Sequence, residues 1–433
     1  MPDEAALLRV IGVRRLTASI INSTIGAGIF VLPATAATGI GPAAPLAYLV
    51  CAALMTLLIL CFASAGSRVS LTGGLYAYIE VAFGPFVGFL GGVLYLLTAV
   101  FAGASIASAF AASVGLAWPV AGTSAGSAAL LITLFGLLAF VNVRGATPGV
   151  RLVEGMTVAK LAPLLALVVA GVWFVRPEHL AIATMPLPSA IGRTAVVLIF
   201  AFAGVEVALV PSGEVLDPAR TVPRALFLAL AFTTAMYLAI QTVAQGLLGP
   251  AMADYAAAPL AEAMSRVMGP IGRVLVLGGA TVSMFGASAG DMLGSPRALY
   301  ALARDGMLPA PLARVHPRFR TPSVAIVTYA IVVATVAING TFAQLAVVAN
   351  VAFLTLYLLC ALAAYELQRR DVRATGTPFV TPGGAVVPAL ASAVIVWLLS
   401  QATAREFAVE AIVVAAASVF YFFRRRLAGG PHQ

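Results

Sequence analysis

Apolar residues along this chain run in long unbroken stretches, and polar residues gather in short clusters between them. An α-helix rising 1.5 Å per residue needs about 20 apolar residues to cross a bilayer. The pattern predicts twelve such spans, near residues 17–38, 43–65, 86–113, 125–143, 156–175, 191–211, 224–248, 272–296, 322–338, 342–365, 385–401 and 407–423. Inside each span the apolar residues are continuous and do not alternate, which rules out a membrane β-barrel. The expected fold is an all-α polytopic membrane protein.

Two spans carry their own breaking points. The first contains NSTIGAGIFVLP, residues 22–33, where Gly26 and Gly28 precede bulky residues and Pro33. The sixth contains FAFAGVEVALVP, residues 200–211, with Gly204, Glu206 and Pro211. Taken alone, GAG reads as a notch for close helix packing. A matched pair reads differently, because a break frees backbone N–H and C=O groups that lipid cannot satisfy, so they must meet a cavity or a ligand. Gly26 and Gly204 lie about 180 residues apart, and five spans begin at each. Five is odd, so a second copy must enter the membrane upside down, as in inverted-repeat transporters. The expected units are residues 1–176 and 177–367 as the two repeats, and 368–433 as two further helices with a basic tail.

Composition and charge then set the surroundings. Hydrophobic residues make up 61% of the chain and charged residues 9%, with a net charge of +9. Of the 25 basic residues, 19 fall on the side predicted to hold both termini, among them Arg14, Arg15, Arg68, Arg304, Arg314, Arg369 and Arg424 to Arg426. Arg176, Arg193, Arg266, Arg273 and Arg405 fall opposite. The expected host is a bacterial-type cytoplasmic (inner) membrane, and that bias predicts cytoplasmic termini. It also accounts for the positive charge through membrane lipid, without nucleic acid as a partner. No cleavable leader is expected ahead of the first span. Cys51, Cys61 and Cys360 lie within spans at spacings that suit neither a metal nor a disulfide framework.

Charges inside the spans are few. Lys160 is the one lysine of the chain. It either snorkels to the interface beside Glu154 or is buried against neighbouring helices, where gaining and losing a proton would make it a coupling group. Glu206 either pins the broken sixth span or exchanges a proton. Asp291 either pairs with Arg297 near the interface or borders the inner end of a pathway.

Four segments together carry a resemblance. IGAGIFVLP, GGLYAYIEVAFGPFVGFLGGVLY, FAFAGVEVALVPSGEVLDPARTVPRAL and SPRALYALARDGMLPAPLARVHPRFRTPSVAI follow in the order and spacing of the amino acid-polyamine-organocation family, over residues 12–330. The chain resembles that family, whose fold is the LeuT-type arrangement of five-plus-five inverted spans, with helices 1 and 6 broken, plus two C-terminal spans. The resemblance implies that a substrate carboxylate meets the backbone at Thr24, Ile25, Gly26, Ala27 and Gly28. It implies that the substrate ammonium meets carbonyls at Phe200, Ala201 and Ala203 beside Gly204, that Phe202 is an aromatic gate, and that Thr98 and Gly103 line the side-chain pocket. Lys160 matches a fifth-helix lysine whose ammonium stands where sodium-driven relatives bind sodium, which implies proton coupling or uncoupled exchange. Arginine/agmatine-type antiporters carry tryptophan near the positions of Phe200 and Asp291, and this chain does not.

Other classes fit less well. An intramembrane enzyme needs a catalytic cluster, whereas His179, His316 and His432 fall in loops or the tail and no phosphate-cradling loop occurs. A channel needs rings of ligands around one axis. Neither a metal nor a cofactor is expected. The expected function is a secondary active transporter of amino acids working by alternating access, with proton-coupled uptake of neutral amino acids. The alternative is an antiporter or exporter of a cationic substrate such as arginine, ornithine or putrescine. Asp217, Arg220, Arg297 and Asp305 are candidates for a latch in the basic loops. Residues 257–270 are expected to form a helix covering the opposite side.

Overall fold

The computed structural model describes residues 12–69, 75–145, 150–204, 215–216, 218–373, 378–379 and 381–428. Among the described residues, helices occupy the apolar runs. The first run is divided into α1, Val13–Thr24, and α2, Gly28–Ile40. After these come α3 (Ala44–Arg68), a short α4 (Leu75–Phe83), α5 (Pro85–Ala117), α6 (Ser124–Val143) and α7 (Val150–Gly171). The later part of the chain holds α8 (Pro188–Phe202), α9 (Pro218–Leu248), α10 (Pro259–Arg304), α11 (Ser323–Ile338), α12 (Phe342–Arg369), α13 (Val386–Leu399) and α14 (Ala404–Ala428). By length and apolar composition, seven described stretches can cross a membrane, with α2 and α3 counted as one. Four shorter apolar helices accompany them.

Local chemistry sets the ends. Thr123 caps α6 by accepting the Gly126 amide at 3.1 Å, and Thr341 with Gln344 forms a capping box at the start of α12. The helix expected over 257–270 is the first part of α10. It ends at Gly269, whose φ of 62° bends the chain before Pro270 resumes the helix.

Packing sorts the helices into two groups. α5 lies against α10, α11 and α12, while α1, α2, α3, α8 and α9 pack on one another. In lipid, close approach replaces the hydrophobic effect as the cause of helix association. Glycines allow that approach here: a Cβ on Gly39 of α2 would stand 2.4 Å from Thr194 Oγ1 of α8, and one on Gly279 of α10 would stand 2.6 Å from the Pro163 ring of α7. Asn350 of α12 ties the groups together, donating to the carbonyls of Val196 at 2.8 Å and Val197 at 3.1 Å in α8.

Candidate functional site: two interrupted helices

Helix α1 stops because Ile25 leaves helical geometry, with ψ at 82°. The amide of Gly26 turns back to the Thr24 carbonyl at 2.9 Å, and α2 begins at Gly28. Among the described residues, no backbone acceptor pairs with the N–H groups of Ala27, Gly28 or Ile29. These are the free donors at the positive end of α2, the arrangement that receives a carboxylate.

Helix α8 stops at Phe202. Ala203 turns extended, with ψ at 148°, and Gly204 takes φ of 104°, where an L side chain is strained. The carbonyls at this end carry the negative end of the α8 dipole, which suits an ammonium group. Glu206 lies outside the described residues, as does Asp217.

The two breaks touch. A Cβ on Gly28 would lie 3.3 Å from the Ala201 Cα and 3.2 Å from the Phe200 ring. A Cβ on Gly204 would lie 2.9 Å from the Ser23 carbonyl oxygen. Gly26, by contrast, has open space where its Cβ would be. Gly28 is therefore the packing notch of the GAG pair, and Gly26 leaves room. The junction is closed in this conformation, since Ile25, Ala27 and Gly28 are all buried. A cavity of about 10 Å³, beside Phe30, Ser113 and Met284, has room for about one water.

Lys160 of α7 is 8% exposed, and its Nζ donates to the Asn22 carbonyl in the last turn of α1. The ammonium therefore sits at the negative end of a half-helix, buried and not snorkelling to an interface. Tyr237 of α9 had no signal in the sequence. Its hydroxyl lies 2.8 Å from the Ala201 carbonyl and 3.0 Å from the Thr24 carbonyl, so it reaches both breaks. Among the described residues, the hydroxyls of Thr24, Thr98, Thr233, Ser283 and Ser288 are buried without a hydrogen-bond partner. Thr24 and Thr98 were expected at the site; Thr233 and the two α10 serines were not. Buried polar groups normally have partners, so each of these hydroxyls is an unspent hydrogen-bonding group.

Three expected residues sit elsewhere. The Phe202 ring is fully buried between Tyr48 and Tyr237, with centroids 6.5 and 5.4 Å away, and it is Phe200 that stands against Gly28 and Phe342. Gly103 faces Asp291 and Val333 and not the breaks: a Cβ there would stand 2.5 Å from Asp291 Oδ2. Asp291 is bound by Ser295 at 2.6 Å and by Tyr329 at 2.8 and 3.0 Å. Its pairing with Arg297 does not occur, because Arg297 is exposed and donates to the Leu293 carbonyl of its own helix.

Of the loop latch, Asp217 lies outside the described residues, and the Arg297 and Asp305 part differs from expectation. Asp305 pairs with its neighbour Arg304 at 3.0 Å, which joins no two helices. The connection between helices is made by Arg68 at the end of α3, which donates to the Val372 carbonyl at 3.1 Å and lies 3.5 Å from Asp371, beyond α12. Gln368 adds bonds to Ser64 and Thr381, each 2.7 Å.

The break after α1 meets the end of α8, as the motifs anticipated. A family model described as amino acid permease matches residues 11–421. The chain belongs to the amino acid permease family. The chain is therefore a transporter of the amino acid-polyamine-organocation group and not an enzyme. It is similar to an uncharacterized transporter of Mycobacterium tuberculosis, 35% identical over 341 residues that cover 78% of this chain and 75% of the relative. It is also similar to two Bacillus subtilis proteins. The methylthioribose transporter is 28% identical, with 91% of this chain and 88% of the relative covered. The branched-chain amino acid permease BcaP is 27% identical, with 90% and 87% covered.

Proposed function

We propose that the protein is a secondary active transporter that takes up neutral amino acids together with a proton by alternating access. The observation that carries this reading is the junction of the two breaks, where α2 offers free amides and α8 offers carbonyls a few ångströms away. A zwitterion complements both, with its carboxylate at Thr24 to Gly28 and its ammonium at Phe200 to Gly204. The proposal includes twelve spans in a LeuT-type inverted repeat, repeats over 1–176 and 177–367 with 368–433 appended, and both termini cytoplasmic. Opening comes from rocking the group containing α1, α2, α3, α8 and α9 against the rest. Lys160 holds α1 through Asn22 when protonated and releases it when neutral, which couples the proton to that motion. The branched-chain permease among the relatives supports a neutral substrate.

A second reading, exchange or export of a cationic amino acid or polyamine, draws on Asp291, an acid within a span whose hydrogen-bond partners Ser295 and Tyr329 are both uncharged, and it requires Asp291 to turn from Gly103 toward the pathway in another conformation. One experiment separates the two. In proteoliposomes, labelled amino acids and polyamines are tested with and without an inward proton gradient, for the wild type and Lys160→Ala. Gradient-driven accumulation of a neutral amino acid, lost in the variant, supports symport. Gradient-independent uptake by the wild type removes it, and binding of polyamines alone promotes the second reading.

A further inference from the structure

The peripheral helix α14 leaves a groove of about 580 Å³ against α5 and α11. Val93 and Val100 of α5, Val332 and Val336 of α11, and Ile412 and Ala416 of α14 form its walls. Ala416 contributes only a methyl group to the α14 wall. The length of the groove has a meaning in a bilayer. Lined from Phe89 to Phe101 along α5 and from Ile412 to Phe420 along α14, it runs for roughly 12–18 Å at 1.5 Å per helical residue. Half of a hydrocarbon core is about 15 Å. The groove is therefore as long as one leaflet is deep.

One end is basic. Leu308 and Pro309 close the groove there. Arg424 stands on α14 one turn beyond Phe420, on the same face. It is half-buried and spends one guanidinium nitrogen on the Leu308 carbonyl at 3.0 Å. Its remaining donors form the planar fork that suits a phosphate. Arg304, at the end of α10, is 63% exposed but already paired with Asp305 at 3.0 Å, which leaves Arg424 as the anchor. Phe86, Phe89, Tyr421 and Phe422 stack at the same level, with centroids 4.9 to 5.3 Å apart, and aromatic rings concentrate at membrane interfaces.

We propose that this groove holds one acyl chain of an anionic phospholipid, with its phosphate at Arg424. The leaflet assigned to it, the cytoplasmic one, rests on the orientation proposed above; the binding itself does not. An apolar groove as long as a leaflet is deep, with Arg424 at its end, fits an anionic lipid better than it fits a second copy, which would need a matching ridge and no phosphate.

The test is native mass spectrometry of the purified full chain given phosphatidylglycerol or phosphatidylcholine. The wild type is expected to retain phosphatidylglycerol about fivefold better, the scale of one arginine near an anionic headgroup. Arg424→Gln levels the two lipids. Ala416→Phe, which fills the groove, loses retention of both, and Val332→Phe does the same from the opposite wall should the first variant unfold. Val419→Phe, at a position 70% exposed on the outer face of α14, leaves retention unchanged. Equal retention of the two lipids by the wild type overturns the proposal. So does undiminished retention in both groove-filling variants, or a wild-type dimer that these variants dissociate without changing bound lipid. Transport plays no part in the readout, so failure here leaves the proposed function standing.

Discussion

The Tyr237 hydroxyl lies 2.8 Å from the carbonyl oxygen of Ala201, at the end of α8, and the same hydroxyl lies 3.0 Å from the carbonyl of Thr24, at the end of α1. One proton is shared between two carbonyls, and each belongs to a helix that stops there. The ring is held independently of the hydroxyl, with Phe202 edge-on at 5.4 Å and Tyr48 at 6.0 Å. Tyr237→Phe therefore keeps the packing and removes only the bridge. A hydrogen bond of this kind contributes about 1 kcal/mol, or roughly fivefold. The expected outcome is a fall of that size in transport rate with little change in melting temperature, read by uptake into proteoliposomes and by thermal unfolding. A variant that transports at the wild-type rate would show that the bridge has no part in the cycle.

The glycines at the breaks differ in what they tolerate. Gly204→Ala meets both an unfavourable φ of 104° and the Ser23 carbonyl at 2.9 Å, so it costs about 1–3 kcal/mol in strain and lowers the melting temperature. Gly28→Ala comes to 3.2 Å from Phe200 and 3.3 Å from the Ala201 Cα, closer than ordinary contact, and costs less than Gly204→Ala because no strained φ is added. Gly26→Ala meets nothing within 4 Å and should fold as the wild type does. Its methyl group nevertheless enters the space beside the free amides of α2. Weaker substrate affinity with an unchanged melting temperature is the expected signature, measured by KM and by unfolding.

Much of this was legible in the sequence, and its limits have physical causes. The helices fall on the apolar runs because length and continuous hydrophobicity decide whether a segment resides in lipid. The break at Ile25 to Ala27 was legible because glycine spacing and a following proline act locally. Lys160 was legible as a rare buried charge, although whether it snorkelled or turned inward depended on α1 being within reach. Tyr237 was not legible, because a tyrosine in an apolar run gives no sign of which carbonyls it will face. The same holds for Arg68: an arginine at a helix end is the ordinary positive-inside pattern, and only the fold brings the Asp371 turn beneath it. Gly103 lies on α5 with Thr98, but the five-residue offset turns it toward α10 and α11, and no motif reports that rotation.

Arg68 and Asp371 give a test with a pH sign. The Asp371 carboxyl is held below the usual carboxylate range, first by the hydrogen bond from Arg373 and also by Arg68. A depressed value means that its contribution is complete above the ordinary range near about 4 and is lost only as the pH falls through the lowered value. The connection between α3 and the turn after α12 should therefore be unchanged from about pH 8 to about pH 5. Arg68→Gln removes the bond to Val372 as well as the ion pair, so a lower melting temperature is expected throughout that range. Arg68→Lys should restore only part of it, since one ammonium cannot reproduce the guanidinium geometry. Melting curves at several pH values decide this, and a loss of wild-type stability beginning near neutrality would contradict it.

Gly103 and Asp291 form a pair that a double-mutant cycle can isolate. A Cβ at 103 would stand 2.5 Å from Asp291 Oδ2. That carboxylate is short and fixed by Ser295 and Tyr329, which are 4% and 2% exposed. Gly103→Ala therefore has to displace the carboxylate from its two hydroxyls, an overpacking cost of about 1–3 kcal/mol. Asp291→Ala leaves those hydroxyls without a partner and costs a similar amount, about 1–3 kcal/mol. In the double variant the alanine at 103 enters the space the carboxylate vacated, and the clash is gone. Stability of the double variant should then equal that of Asp291→Ala within about 0.5 kcal/mol, a coupling as large as the Gly103→Ala cost itself. Thermal unfolding of the four proteins measures it. Simple additivity would mean that the two positions are not in contact, and that Asp291 is turned toward some other part of the chain.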